Sequence, residues 1–206
     1  MIYFFSDGGV LLYMPTCSFE HLKTSSDLLL KIVVVGQGGK STLSRALSEK
    51  LNLPHIELDA IHHLPNWEER SKQDFKNQLA MVLAKNPDGW IMDGNYFDAI
   101  EEIVATQAQT VIYVNISWGL MMWRIFWRTL DRIINRKPVC GDNYETWEKS
   151  FFSPQSLLWY LIKNRNGVTT DRPDQINRLS KDLQLLRLNG RDALDRFYAQ
   201  HDLTRG

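Results

Sequence analysis

The most constraining feature of the chain is an apolar segment, residues 29–35, that runs directly into glycines and then into Lys40, Ser41 and Thr42 at the start of a helical pattern. This order is typical of a phosphate-binding loop, in which backbone N–H groups and a helix N-terminus surround a phosphate. We expect Lys40 to reach the outer phosphates of a nucleotide, Ser41 to bind Mg²⁺, and Thr42 to contact the inner phosphates. The alternative is a plain glycine turn capped by Ser41.

The glycine loop is two residues shorter than the usual pattern, because only Gln37 and Gly38 separate Gly36 from Gly39. Two missing N–H donors, at roughly 1.5 to 3 kcal/mol each, would cost about 3 to 6 kcal/mol of binding, or about two to four decades of affinity. If the strand ended two residues earlier, Val34 and Val35 could complete the loop without changing which face each side chain occupies. The sequence leaves both possibilities open.

Strand-like runs alternate with helical patterns along the chain, which predicts a parallel sheet covered by helices on both faces. The expected strands are residues 31–35, 55–58, 90–92, 110–114 and 183–188. The expected helices are residues 40–51, 72–85, 97–106, 118–136, 147–163, 175–182 and 191–201. Residues 1–28 form an expected N-terminal extension to a domain of residues 29–206.

Polar residues follow two of the predicted strands. Asp93 and Asn95 come after the buried run ending at Met92, and Asp59 ends the second strand. Ligands of such sheets bind beyond the carboxyl ends of the strands. Asp93 is therefore a candidate Mg²⁺ ligand or base, while Asp59 and Asn95 are candidates for the acceptor substrate. The alternatives are that Asp93 begins a turn with Gly94 and that Asp59 caps a short helical turn.

The segment between the second strand and the next helix contains His62, His63 and Trp67. We expect a substrate-side loop in which Trp67 either stacks on the acceptor or simply packs. Adjacent histidines diverge in an extended segment, and no cysteine or third histidine with ligand spacing accompanies them. The pattern therefore does not favour zinc.

Arginines recur every four residues in the helical pattern of residues 118–136, opposite an apolar face. They are Arg124, Arg128, Arg132 and Arg136. We expect the last two, Arg132 and Arg136, to lie beside a mobile lid of residues 137–167 and to neutralise a transferring phosphoryl group. The alternatives are a solvated helix face and contact with nucleic acid.

Composition bounds the class of protein. The chain has 206 residues and 44% hydrophobic content, which suits one domain with a sizeable core. Lys plus Arg and Asp plus Glu both number 24, so direct DNA binding is not expected. Cys17 and Cys140 are too few for a disulfide scaffold, and no run approaches a transmembrane helix. A cytoplasmic monomer or homodimer without membrane attachment is expected.

The chain resembles the adenylate-kinase-like P-loop proteins, in particular the DNA topology modulation proteins. The resemblance rests on residues 31–51, 53–59, 90–96, 110–114 and 185–190. It implies a nucleoside-monophosphate-kinase-type three-layer α/β fold with a five-stranded parallel sheet of order 2-3-1-4-5, a helical lid insertion, and ATP and Mg²⁺ as ligands. By the same resemblance Leu188, Asn189 and Gly190 would line the adenine, and the loop residues Gly36, Gln37, Gly38 and Gly39 would hold the phosphates.

Three functional hypotheses follow. The first is a kinase that transfers a phosphoryl group from ATP to a small hydroxylated or nucleotide-like acceptor. The second is a degenerate relative that binds a nucleotide without turnover, which the short loop supports. The third is a regulator associated with DNA topology, which the balanced charge argues against. The identity of the acceptor does not follow from the sequence, because one phosphate site serves many chemistries.

Overall fold

A computed structural model describes residues 30–140, 143–154, 156–163 and 183–205. The main sheet has five parallel strands: β1 (Lys31–Gln37), β2 (His55–Glu57), β3 (Trp90–Asp93), β4 (Thr110–Asn115) and β7 (Gln184–Asn189). Their order across the sheet is β2-β3-β1-β4-β7. This is the predicted order 2-3-1-4-5, with β7 as the fifth strand of the main sheet.

The central strands are buried on both faces because helices cover the sheet on both sides. Val34, on one face, belongs to a core that includes Leu43 and Leu194 from the helices α1 (Lys40–Leu51) and α7 (Gly190–Gln200). Val33, on the other face, packs with residues from α3 (Lys72–Ala84) and α4 (Phe97–Thr106). A continuous apolar strand such as β1 is therefore favoured over an alternating one.

The main sheet and its two helical layers form a three-layer α/β fold with the predicted strand order. Helix α1 and helix α4 have the predicted bounds, and α5 (Trp118–Ile134) ends two residues before its predicted end. Strand β2 is one residue shorter than predicted, because Leu58 and Asp59 begin a short helix, α2 (Leu58–His62). A 3₁₀ turn, Pro65–Trp67, follows it.

The segment that the sequence predicts to be a lid, residues 137–167, differs from the predicted single helix over residues 147–163. It begins with an antiparallel hairpin, β5 (Pro138–Val139) and β6 (Asn143–Tyr144), and continues with a π-helical turn, Glu148–Phe152, and helix α6 (Leu157–Lys163). Ser153 is extended, with φ −78° and ψ 133°, immediately before Pro154. A proline disfavours helical backbone in the residue before it, so the helical pattern is interrupted there.

Some sequence predictions lie outside the described residues. These are the N-terminal extension, residues 1–28, the helix over residues 175–182, and the last part of the lid. Within the described ranges, no helix has the length and apolarity needed to span a bilayer.

Candidate functional site

Strand β1 continues through the first part of the glycine loop. Gly36 and Gln37 pair with Val114 and Asn115 of β4, and Val34 and Val35 are fully buried within the strand. The alternative in which the strand ends early and lends these valines to the loop is therefore wrong for this structure. Only Gly38 and Gly39 separate the strand from helix α1.

Glycine is required in this loop for two physical reasons. Gly36, Gly38 and Gly39 have φ of +110°, +71° and +92°, a region that side chains disfavour. A Cβ on Gly36 would also lie 2.1 Å from the Val114 carbonyl oxygen. The loop backbone therefore follows directly from these glycines.

Helix α1 begins with its N–H groups directed at the loop. Gly39 is the N-cap and no side chain caps the helix, so Ser41 does not act as a cap. The first intrahelical hydrogen bond runs from the Leu43 N–H to the Gly39 carbonyl, at 3.0 Å. Ser41 and Thr42 precede it and are exposed, so the positive end of the helix dipole faces solvent at this point.

A cavity of about 290 Å³ opens at this helix start. Its polar wall contains Gly38, Gly39 and Thr42, together with guanidinium groups from α5 and from the chain end. These guanidinium groups belong to Arg124, Arg128 and Arg205. Arg205 is also paired with Asp195, so the helix N-terminus, Arg124 and Arg128 are the positive groups that would face an anion in this cavity.

The remaining wall of the cavity is apolar and aromatic. Met121 and Ile125 come from α5, and Leu194 and Tyr198 come from α7. The Arg205 guanidinium lies 4.5 Å from the centre of the Tyr198 ring, which is a cation–π distance. An anionic ligand with a flat apolar part would find complementary surfaces for both parts here.

Arg128 lines the cavity and also interacts with charged groups on the lid side of α5. The pKa of its guanidinium is lowered, first by desolvation and then by the neighbouring cation Arg132, while Glu145 and Asp59 oppose the shift. Arginine remains a cation at physiological pH in spite of such a shift. The charge of Arg128 is therefore available to a bound anion.

The predicted lid arginines have different surroundings. Arg132 Nη1 lies 2.9 Å from Glu145 Oε1, and both side chains are mostly buried. Arg136 is exposed and has a φ of +46° immediately after α5. Neither residue lines the cavity, and their proposed contact with a transferring phosphoryl group stays a prediction.

Asp93 lies at the carboxyl end of β3 and is almost completely buried. His55 Nε2 is 2.9 Å from Asp93 Oδ1, and His55 Nδ1 is 3.6 Å from Glu57 Oε1. His55 thus lies between two carboxylates on one face of β2 and β3. If Asp93 binds a metal or acts as a base, as the sequence predicts, it must do so while its Oδ1 is paired with His55.

Asp59 and Tyr96 lie next to each other in the region that the sequence predicts to bind the acceptor. Asp59 is exposed on α2 and hydrogen-bonds Tyr96. Burial, and then the Asp59 carboxylate, raises the pKa of the Tyr96 hydroxyl well above its ordinary value. Tyr96 is therefore a neutral hydrogen-bonding group beside an exposed carboxylate.

Trp67 contacts the lid hairpin. Its backbone N–H donates to Asn143 Oδ1 at 2.9 Å, and its indole Nε1 donates to the Tyr144 carbonyl at 3.2 Å. Asn143 is buried and also donates to the Leu64 carbonyl at 2.9 Å. Trp67 therefore holds the hairpin against the loop after α2, and stacking on an acceptor stays a prediction.

Asn189 and Gly190 end β7 and begin α7. Asn189 lies opposite Asn115 in the sheet, and Gly190 has a φ of +85°. They do not line the cavity, but Leu194 and Tyr198 of the helix that they begin do. Their predicted contact with adenine stays a prediction.

Sequence reasoning passed over several residues that the structure brings to the site. Arg124 and Arg128 were visible in the four-residue arginine repeat, but the residues nearest the lid were preferred. Arg205 and Tyr198 come from the last helix and the chain end, where no local pattern marks them. His55 was visible only as the first residue of a predicted strand.

The chain is similar to solved structures at low sequence identity. No protein-family model matches the chain, and no curated protein matches it significantly. A gluconokinase from Sinorhizobium meliloti is 17% identical with a TM-score of 0.48, covering 82% of this chain and 87% of its own. A sugar kinase from a Janibacter species is 16% identical with a TM-score of 0.42, and the match covers 86% of this chain and 96% of the sugar kinase.

Proposed function

We propose that this protein binds ATP at the cavity and transfers its terminal phosphoryl group to a small hydroxylated or nucleotide-like acceptor. The observation that carries the proposal is the convergence of Arg124, Arg128 and Arg205 on the start of α1. Arg205 is already paired with Asp195, so Arg124, Arg128 and the helix N-terminus are the positive groups that favour a polyanion in this cavity. The apolar wall next to Tyr198 suits a nucleobase.

The loop and the arginines would contribute to phosphate binding in different ways. Gly38 and Gly39 bring the start of α1 close to the ligand, and Lys40 would approach the outer phosphates. The guanidinium groups of Arg124 and Arg128 would add charge stabilisation to that of the short loop. Such fixed charges stabilise the developing charge of phosphoryl transfer without reorganising.

The residues at the helix start also fit a magnesium ion. Ser41 has an exposed hydroxyl next to the proposed phosphate position, and Mg²⁺ is normally held by few protein oxygens together with phosphates and water. Asp93 keeps one carboxylate oxygen beyond the one that faces His55. When bound, the ion would neutralise phosphate charge.

The acceptor would bind between α2 and the lid. Asp59 presents an exposed carboxylate there, beside the Tyr96 hydroxyl, and a carboxylate accepts hydrogen bonds from hydroxyl groups. Asn95 and Trp67 border the same region in the sequence-based prediction. These groups favour a polar acceptor that offers hydroxyl hydrogens.

Nucleotide binding without turnover is the second candidate. It is favoured by the two-residue loop and by the buried Asp93, whose paired carboxylate is less available for metal binding or proton abstraction. In this case the arginines would hold the anion while the chemistry is lost.

We also propose that the protein belongs to the DNA topology modulation group. The sequence of residues 90–96, where Asp93 ends the strand and Asn95 follows, supports this membership. The balanced charge of the chain, 24 basic and 24 acidic residues, favours an indirect influence on DNA over direct contact. A cytoplasmic monomer or homodimer fits this proposal.

Calorimetry with Mg-ATP tests the cavity. Lys40→Ala and Arg124→Ala should each weaken binding about tenfold to a hundredfold, since each removes a charged hydrogen-bond donor. Arg45→Ala is the matched control, because Arg45 lies on the same helix as Lys40 but faces Glu57 at 3.5 Å. Equal affinity of the parent and Arg124→Ala would refute the assignment.

An ADP-release screen over nucleoside monophosphates and small hydroxylated acids or sugars separates the two candidates. Acceptor-dependent ADP release that is lost in Lys40→Ala supports transfer. Tight ATP binding with no acceptor-dependent release supports the non-catalytic alternative.

A further inference from the structure

We infer that His62, His63 and Glu69 form a binding site for a divalent transition-metal ion such as Zn²⁺. One ligand atom from each residue lies within 4.8 Å of the other two. His62 Nε2 is 3.7 Å from Glu69 Oε2. The inference does not depend on nucleotide binding.

The predicted extended backbone, in which adjacent histidines diverge, is wrong at His62. His62 is the last residue of helix α2, and His63 is its C-cap. This change of backbone direction brings the two imidazole rings to 4.9 Å between centroids, at an angle of 71°. Adjacent histidines therefore converge here instead of diverging.

Backbone hydrogen bonds hold the two sides of the site together. His63 and Glu69 form an antiparallel bridge. The Leu64 N–H donates to the Glu68 carbonyl at 2.7 Å, and the Arg70 N–H donates to the His62 carbonyl at 2.9 Å. Because the loop is closed by these bonds, the ligand groups are brought together before any ion binds, which lowers the entropy cost of binding.

The side chains are also held by packing. The His62 ring lies 4.7 Å from the Tyr96 ring and 5.8 Å from Phe75, and the His63 ring lies 5.6 Å from Trp67. His63 Nδ1 is buried and has no hydrogen-bond partner. A buried ring nitrogen without a partner is costly, and an ion could satisfy such an atom either directly or through a bound water.

The distances between the candidate ligand atoms are close to those found around a bound zinc ion. Ligand atoms at about 2.0 to 2.2 Å from a tetrahedral zinc lie roughly 3.4 Å apart. The 3.7 Å pair is near this value, and the Glu69 side chain, which is 70% exposed, can move to close the remaining distances. Two imidazoles and one carboxylate suit Zn²⁺, Co²⁺ or Ni²⁺ and leave a coordination position for water, whereas Mg²⁺ prefers an all-oxygen site.

Titration of the untagged full chain with Zn²⁺, after treatment with a chelator, tests the site. We expect binding of one equivalent and a rise in melting temperature that saturates with it. Glu69→Gln should weaken binding at least about tenfold, because loss of a ligand costs no less than loss of a supporting group. His63→Asn should do the same, and excess Mg²⁺ should not displace the ion.

Glu68→Gln is the matched control, since Glu68 is an exposed neighbour outside the cluster. Glu69 is itself exposed, so its variant should fold normally. Equal weakening by Glu68→Gln and Glu69→Gln would overturn the assignment. The assignment would also be wrong if Zn²⁺ did not bind at one equivalent. A sulfur charge-transfer band with Co²⁺ would contradict it too, because the metal would then be bound to a cysteine.

Discussion

The side-chain amide of Asn95 and the peptide group of Gly36 hydrogen-bond to each other in both directions. The Gly36 N–H donates to Asn95 Oδ1 at 3.0 Å, and Asn95 Nδ2 donates to the Gly36 carbonyl at 3.0 Å. The pair joins the segment after β3 to the end of β1, immediately before the glycine turn. Asn95, a predicted acceptor contact, therefore has a structural role at the phosphate side of the site.

The first prediction is that Asn95→Leu lowers the free energy of unfolding by about 1 to 3 kcal/mol, because two hydrogen bonds are lost and their backbone partners are not replaced. Urea unfolding measures this change. Asn77→Leu is the control, since the exposed Asn77 is hydrogen-bonded to Gln73 on the same helix, and a change within about 0.5 kcal/mol is expected. Equal stability of parent and Asn95→Leu would contradict the structural role.

Much of the fold follows from local patterns. Strands β1 and β4 contain continuous apolar runs, and such runs are stable only between two helical layers. The pattern missed the last two residues of β1, because Gly36 and Gln37 look like loop residues, yet pairing with β4 places them in the sheet. That pairing is a long-range contact that no local pattern contains.

The site was less predictable because it depends on how helices are rotated. Residues four apart on a helix turn by roughly 40° relative to one another, so the three arginines of α5, and Arg136 after it, cannot all face one cavity. Arg124 and Arg128 line it, while Arg132 turns to Glu145 of the lid. The sequence identified the row of arginines, but only tertiary packing selects among them.

The second prediction concerns the length of the glycine loop. Inserting Ser-Gly between Gly38 and Gly39 should tighten ATP binding, by up to about two to four decades, since it adds two backbone donors at the phosphate site. Calorimetry measures the affinity, and the melting temperature shows whether the sheet is retained. Unchanged or weaker binding by a folded variant would mean that the arginines already replace the missing donors.

The third prediction concerns Cys140 on the lid hairpin. Burial, and then the nearby Asp59 carboxylate, raises the pKa of its thiol to about 11. Since the thiolate is the reactive form, its fraction at pH 8 should be roughly a hundredfold lower than for an ordinary thiol, and alkylation should be at least about tenfold slower because a more basic thiolate is also more nucleophilic. The rate should rise about tenfold per pH unit up to about pH 11. Mass-spectrometric mapping after iodoacetamide treatment separates Cys140 from Cys17, and rapid labelling of Cys140 at pH 8 would contradict this environment.

The last prediction distinguishes Arg132 from Arg136. The sequence predicts that both neutralise a transferring phosphoryl group. Arg132 is hydrogen-bonded to Glu145 at 2.9 Å, and both side chains are mostly buried. Arg132→Glu would place two carboxylates together, so a loss of at least about 2 kcal/mol is expected, or about 4 to 8 °C in melting temperature. The double variant Arg132→Glu with Glu145→Arg should recover part of that loss.

Arg136 provides the contrast because it is exposed and its charge is solvated. Arg136→Glu should change stability by less than about 0.5 kcal/mol, so any loss of phosphoryl transfer in this variant reports on the closed state directly. If Arg136 closes over the phosphates, transfer falls by orders of magnitude at an unchanged melting temperature, because the stabilisation exists only during the reaction. Full activity of a folded Arg136→Glu variant would remove it from the catalytic residues and leave charge stabilisation to Arg124 and Arg128.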